Sequence, residues 1–286
     1  MTDPFEPTCE RVRKALVSIL IEEEPEQLEN GSGVLVCLAG AEFVLTAGHN
    51  VWHPTRDEPM KIAAGQLPRH VVAFTKPGDG SVLRVRVPRG RANAAPEPDV
   101  AVIELSDRAL RHADRQAFAE DEIGSREVDS PPSQLVVGGF PSQLAAVDAT
   151  PVFKEVTRKP KVDLFATTTV VHSMSGTRAA FEPRPGRGTH IFFSKEMTER
   201  DGSTFATFAT RGLSGGPLVV PGAGPLLVGL VRSREPFEDG YDQWCEPVVE
   251  AVRLLIEHDN ASVADAARRI VARCEAGAAT RVPPQA

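Results

Sequence analysis

The 286 residues carry a formal net charge of −7 with 41% hydrophobic and 25% charged residues, which suits one large or two packed medium globular domains and excludes a disordered or collagen-like chain. The 32 basic residues are scattered rather than gathered into a stripe, so the electrostatic footprint of a nucleic-acid binder is missing. No early apolar run approaches the roughly 20 residues that span a bilayer, and no basic-then-apolar leader opens the sequence, so a soluble cytoplasmic protein without a membrane partner is expected.

Glycine and proline number 23 and 24, enough to demand many turns and to favour short strands. In chain order, alternating apolar patterns predict strands over 15–23, 33–37, 42–45, 70–74, 82–87 and 100–105. Val17, Ile19 and Ile21 share one strand face, and Val34, Val36 and Leu38 share another. Residues 107–133 are charged and alanine-rich and end in Asp129-Ser130-Pro131-Pro132, the composition of a linker. A second set of strands is predicted over 135–137, 151–156, 162–171, 189–193, 203–207, 217–220 and 226–231. Helical spacing then takes over, with Val248, Val252, Leu255 and Ile256 over 248–256, and Val263, Ala267, Ile270 and Cys274 over 262–274. The latter stripe is expected to pack on the second half, and the tail beyond it to fray.

Two successive groups of short strands predict an all-β protein of two packed antiparallel domains rather than alternating strands and helices. The expected organisation is an N-terminal extension over 1–14, a first domain over 15–106, the linker over 107–133, a second domain over 134–246, and C-terminal helices with a frayed tail over 247–286. Cys9, Cys37, Cys245 and Cys274 have no metal-ligand spacing and are too few for a disulfide framework. The histidines form no spaced pair either, so neither a metal nor a cofactor is expected.

Three segments carry chemistry. Thr46-Ala47-Gly48-His49 follows the apolar strand Phe43-Val44-Leu45 and sets an imidazole at a strand end, where it can serve as a general base. Alone, such a histidine is more often an ordinary surface or capping residue. Asp99 opens the apolar run Val100-Ala101-Val102-Ile103, where a half-buried carboxylate stays charged only if hydrogen-bonded. In Arg211-Gly212-Leu213-Ser214-Gly215-Gly216-Pro217-Leu218, glycines on both sides of a serine allow a tight turn that exposes the hydroxyl and aims successive amides at one point. The same residues satisfy Gly-x-Ser-x-Gly of the α/β-hydrolases, but Pro217, Val219 and Val220 are a poor helix start, and His258 is the single later histidine.

The chain order His49, Asp99, Ser214 in these contexts resembles the chymotrypsin-like serine peptidases. Gly31-Ser32-Gly33 ahead of the histidine and Val137-Gly138-Gly139-Phe140-Pro141 in the second half match further, and Arg-Gly-x-Ser-Gly-Gly-Pro-Leu is similar to bacterial quality-control peptidases of the high-temperature-requirement type. The resemblance implies two packed six-stranded antiparallel β-barrels with a C-terminal helical segment. It implies an endopeptidase that acts on protein or peptide substrates, with Ser214 as nucleophile, His49 as base, Asp99 orienting His49, and the amides of Gly212 and Ser214 as the oxyanion hole. The alternative is a catalytically silent module of the same fold that binds a peptide or a partner.

Two departures inform regulation. Asn50 stands where secreted members have a paired cysteine, which leaves Cys37 a free thiol. Leu213 replaces the aspartate that pairs with a newly cut N-terminus in zymogen-activated members, so control by a partner protein or ligand is expected instead. For the substrate pocket the resemblance assigns Phe208 to the base and Val231, Arg232 and Arg234 to the facing strand. A phenylalanine base implies a shallow apolar pocket that does not take Lys or Arg, while strand alternation can equally turn both arginines into solvent.

Overall fold

The computed structural model describes residues 5–24, 27–51, 69–75, 82–86, 92–95, 98–105, 115–124, 135–140, 152–153, 160–161, 170–174, 189–194, 196–198, 204–206, 212–237 and 240–279. A helix α1 (Phe5–Ala15) leads into β1 (Leu16–Glu24), β2 (Gln27–Leu38), β3 (Ala41–Thr46), β4 (Arg69–Thr75), β5 (Val82–Arg86), β6 (Ala92–Ala95) and β7 (Val100–Glu104). Then come β8 (Leu135–Gly139), β9 (Val152–Phe153), β10 (Pro160–Lys161), β11 (Val170–Met174), β12 (Thr189–Ser194), β13 (Glu196–Thr198), β14 (Thr204–Ala206), β15 (Pro217–Val220), β16 (Leu226–Phe237) and β17 (Gly240–Pro247). Two helices, α2 (Val248–Arg253) and α3 (Ala261–Ala279), finish the described chain.

The strands form two main antiparallel sheets. The first has seven strands in the order β5-β4-β1-β2-β3-β7-β6, the second six in the order β11-β8-β15-β16-β17-β12. The expected pair of closed six-stranded barrels needs correction: in the described pairings neither sheet closes, and β6, paired through Ala95 and Val100, gives the first sheet a seventh strand. Two short ribbons, β9 with β10 and β13 with β14, stand apart from both sheets.

Both faces of the central first-sheet strands are covered. Leu16, Val17, Ile19, Val34, Leu35, Val36, Phe43, Val44 and Leu45 are all fully buried. Helix α1, which takes up the N-terminal extension, covers part of them: Cys9, Val12 and Ala15 repeat at helical spacing and join the core. Helix α3 contributes Val263, Ala267, Ile270 and Cys274 to that same core, which also takes in Val136, Val219, Leu227 and Leu230 of the second sheet, and the helix lies against α2 and β2. Asn260 starts α3 by accepting a hydrogen bond from the Ser262 amide on its side-chain oxygen. The helix runs through Ala279, past the point where fraying was expected.

Within the segment read as a linker, residues 115–124 are described and act as a strap. Phe118 is buried and exchanges main-chain hydrogen bonds with Leu35 and Cys37, while the Gly124 amide donates to the Leu227 carbonyl. The strap therefore touches both halves. Arg11 of α1 crosses to it, donating to both Glu122 carboxylate oxygens and to the Gln116 and Ala117 carbonyls, and stacks 4.2 Å from the Phe118 ring centroid. None of the four cysteines forms a disulfide. Among the described residues no helix is long and apolar enough to cross a membrane, and no cluster of metal-ligating side chains occurs.

Candidate active site

The antiparallel register of β3 and β7 brings the first two candidate residues together. Thr46 pairs with Ala101, and extending that register by two residues sets Gly48 across from Asp99. The chain leaves β3 through Ala47 into a single 3₁₀ turn, Gly48–Asn50, that presents His49. His49 donates its amide to Asp99 Oδ1 at 2.8 Å, and its Nδ1 lies 2.7 Å from Asp99 Oδ2. Main chain and ring are thus both fixed by one carboxylate, on a residue itself 7% exposed.

Ser214 belongs to the other sheet, on the turn that enters β15. Gly215 donates to the Val231 carbonyl and Val231 to the Gly216 carbonyl, so the turn is laid against β16. Gly212 and Gly215 have positive φ, +95° and +85°, a conformation that costs little without a Cβ. At Gly215 a Cβ would also run into Ser32 O and Thr46 Oγ1 and come within 2.8 Å of the Ala47 amide nitrogen. Only glycine lets this turn approach the end of β3 so closely.

Leu213 is 4% exposed and packs with Val137, Leu218, Val220, Val228, Val231 and Cys245. Burying such a side chain contributes about 2 kcal/mol. Its neighbour Gly139 of β8 is also close enough that a Cβ there would meet Leu213 Cδ2 at 2.6 Å.

Three side chains that the sequence did not mark as functional join the halves. Asn50 Nδ2 donates to Ser214 O at 2.7 Å, to Thr46 Oγ1 at 2.8 Å and, at 3.4 Å, to Ser32 O. Ser32 donates its amide to Ser214 O and its hydroxyl to Gly212 O, and accepts the Phe140 amide on that hydroxyl. Thr46 Oγ1 donates to Ser32 O. The nucleophile turn is thereby hydrogen-bonded to the base turn from both sides. The signals were in the sequence as Asn50 and Gly31-Ser32-Gly33, but their partners lie in another sheet.

Ser214 Oγ itself donates to the Arg232 carbonyl at 2.9 Å, and no hydrogen bond to His49 is present among the described contacts. Arg232, expected on a pocket wall or in solvent, occupies a bulge of β16: Val231 pairs with Cys245 and Ser233 with Trp244, which leaves Arg232 as the extra residue. The bulge turns its side chain toward the first sheet. Nη1 binds Glu246 Oε1 at 2.6 Å, and Nε lies 3.6 Å from Asp99 Oδ2. Burial pushes the Glu246 carboxyl up; Arg232 and the Asp99 amide oppose the shift without cancelling it. Val231 is buried against Leu213. Phe208 and the side chain of Arg234 lie outside the described residues.

No protein-family model and no curated protein matches the sequence. Solved structures do. The chain is similar to the MamO protease domain from Magnetospirillum magneticum in its apo form at 15% identity, over 85% of this chain and 96% of that one, with a TM-score of 0.44. It is similar to the Rv3671c protease from M. tuberculosis in its active form at 12% identity, over 88% and 84% of the two chains, with a TM-score of 0.48. It is also similar to the serine endoprotease from Yersinia pestis at 16% identity, over 93% and 68%, with a TM-score of 0.46. Likenesses at this level carry no function by themselves.

Proposed function

We propose that the chain is a serine endopeptidase in which Ser214 is the nucleophile, His49 the general base and Asp99 the group that orients His49. The reading is carried by the double hydrogen bond of Asp99 to the His49 amide and ring, at the point where the Ser214 turn is bonded to the His49 turn. With Nδ1–H directed at Asp99, the imidazole keeps Nε2 free to take a proton.

In the reaction, the Ser214 hydroxyl turns from the Arg232 carbonyl to His49 Nε2 and attacks the substrate carbonyl carbon as its proton passes to the imidazole. The resulting oxyanion accepts hydrogen bonds from the amides of Gly212 and Ser214. Its collapse breaks the C–N bond, and the imidazolium gives its proton to the departing amine. Water, deprotonated by His49, then attacks the acyl-serine and releases the acid with the Ser214 hydroxyl restored.

Buried Leu213 replaces a charged anchor of the turn, so cleavage near the N-terminus is not required, and control falls to a ligand or partner protein. The Ser214-to-Arg232 hydrogen bond also favours a second reading, a silent module that uses the cleft to bind peptide. A fluorophosphonate probe decides between them: covalent labelling of the intact chain, lost in Ser214→Ala, is expected of the peptidase, while an unlabelled chain that still binds peptide is the silent module.

A further inference from the structure

We infer that Arg232, anchored by the buried Glu246, is a positioning residue that links nucleophile and carboxylate and sets the pH at which the His49–Asp99 pair works; this rests on the proposed peptidase reading. One bulged residue meets both ends of the candidate triad. Its carbonyl holds Ser214 Oγ at 2.9 Å, and its guanidinium stands 3.6 Å from Asp99 Oδ2, the same oxygen that lies 2.7 Å from His49 Nδ1.

Two cationic groups thus share one carboxylate oxygen whenever His49 is protonated. The guanidinium competes with a protonated imidazole for that oxygen. Glu246 opposes it. Its 2.6 Å contact with Nη1 keeps the guanidinium from closing fully on Asp99, and its carboxylate accepts the Asp99 amide, which fixes the backbone that carries the carboxylate. Among the described residues the charged groups that reach the pair are Arg232 from β16 and Glu246 from β17; Glu42 of β3 and Glu104 of β7 lie at the far ends of their strands.

The two members of the couple therefore act with opposite sign. In Arg232→Gln the cation is gone, and the His49 imidazole should titrate about 0.5 pH unit higher, a modest shift because the site is partly exposed. In Glu246→Gln the guanidinium is released toward Asp99, and the midpoint should move down by a similar amount. Arg232→Lys should return it toward the wild-type value. The measurement is the NMR titration of the His49 ring in the intact chain, alongside the acidic limb of probe labelling against pH.

Opposite shifts in the two variants, with rescue by lysine, support the couple; equal midpoints, or shifts of the same sign, overturn it. Should Glu246→Gln not fold, the upward shift in Arg232→Gln and its reversal in Arg232→Lys decide alone. The ring titration needs no turnover. Absent labelling of the wild-type chain refutes the peptidase reading, whereas unmoved midpoints refute the couple.

Discussion

Asn50 donates its side-chain amide to the main-chain carbonyl of Ser214 at 2.7 Å, so the turn that carries the candidate base is fastened to the turn that carries the candidate nucleophile. Asn50 is 4% exposed, and the two hydrogens of its amide nitrogen serve Ser214 O and Thr46 Oγ1, with Ser32 O as a longer, shared acceptor at 3.4 Å.

Loss of that donor should therefore cost both stability and activity. Asn50→Ala is expected to destabilise the chain by about 1–3 kcal/mol, the range for a buried hydrogen bond whose partner is left wanting. Asn50→Asp should cost at least as much, because a carboxylate would face three oxygens. Urea unfolding of the two variants measures this, and an unchanged midpoint in both would dismiss the fastening.

Replacing any of Ser214, His49 or Asp99 with alanine should remove most hydrolysis and leave the fold intact. Because the three act as one proton-transfer unit, Ser214→Ala combined with His49→Ala should be scarcely slower than either alone. Peptide hydrolysis assays test it, additive losses being the adverse result. Rates should also rise with pH over about 5 to 8, since the imidazole must be neutral to accept a proton.

Two glycines with nearly the same backbone angle make a paired test of crowding. Gly40 has φ +81° and open space around it, so Gly40→Ala should cost only the conformational penalty of about 1 kcal/mol. Gly215 has φ +85° and is hemmed in by Ser32, Thr46 and Ala47, so Gly215→Ala should cost about 3 kcal/mol or prevent folding. Similar unfolding midpoints for the two would contradict the close approach of the turns.

Acid sensitivity should have an identifiable source in Glu122. Burial pushes its carboxyl up, but the Arg11 hydrogen bond, the Ala119 amide and the Arg11 charge outweigh this, and the net shift is downward from 4.5. Unfolding returns the group to its ordinary value. The stability it contributes is thus fully present above 4.5 and is lost as pH falls through the lower folded value. In Glu122→Gln the acid limb of the stability–pH curve should flatten; denaturant titrations at several pH values that give equal slopes for both proteins would rule the ion pair out as its source.

Much of the site was legible because it lies where local patterns end. The strand predicted over 217–220 is β15 to the residue, and the apolar runs before His49 and after Asp99 are β3 and β7, whose register alone brings the two together. What escaped depends on distant partners. Arg11 breaks the apolar stripe of α1 and reads as exposed until Glu122, 111 positions away, is placed beside it. Glu246 sits in β17 among Asp242, Gln243 and Trp244, without the alternation that marks a half-buried strand. The direction of the Arg232 side chain stayed open for a related reason: alternation assumes an unbroken ladder, and the bulge between Val231 and Ser233 has no signature of its own.

The strap at 115–124 ties α1 and α3 into one core, Arg11 reaching Glu122 from one side and Arg273 reaching the Glu120 and Ile123 carbonyls from the other. The hydrophobic centre of the first sheet is therefore complete only once Ile270 and Cys274 have arrived, roughly 250 residues after Leu16 in order of synthesis. A ribosome-bound chain that has released just α1 and β1–β7 would hold those strands with α1 in place but without α3 and the second-sheet side chains of the same core. Folding of the N-terminal half is thus a late and cooperative event, governed by loop closure across most of the polypeptide, and truncation after β17 would remove part of the shared core rather than a dispensable tail.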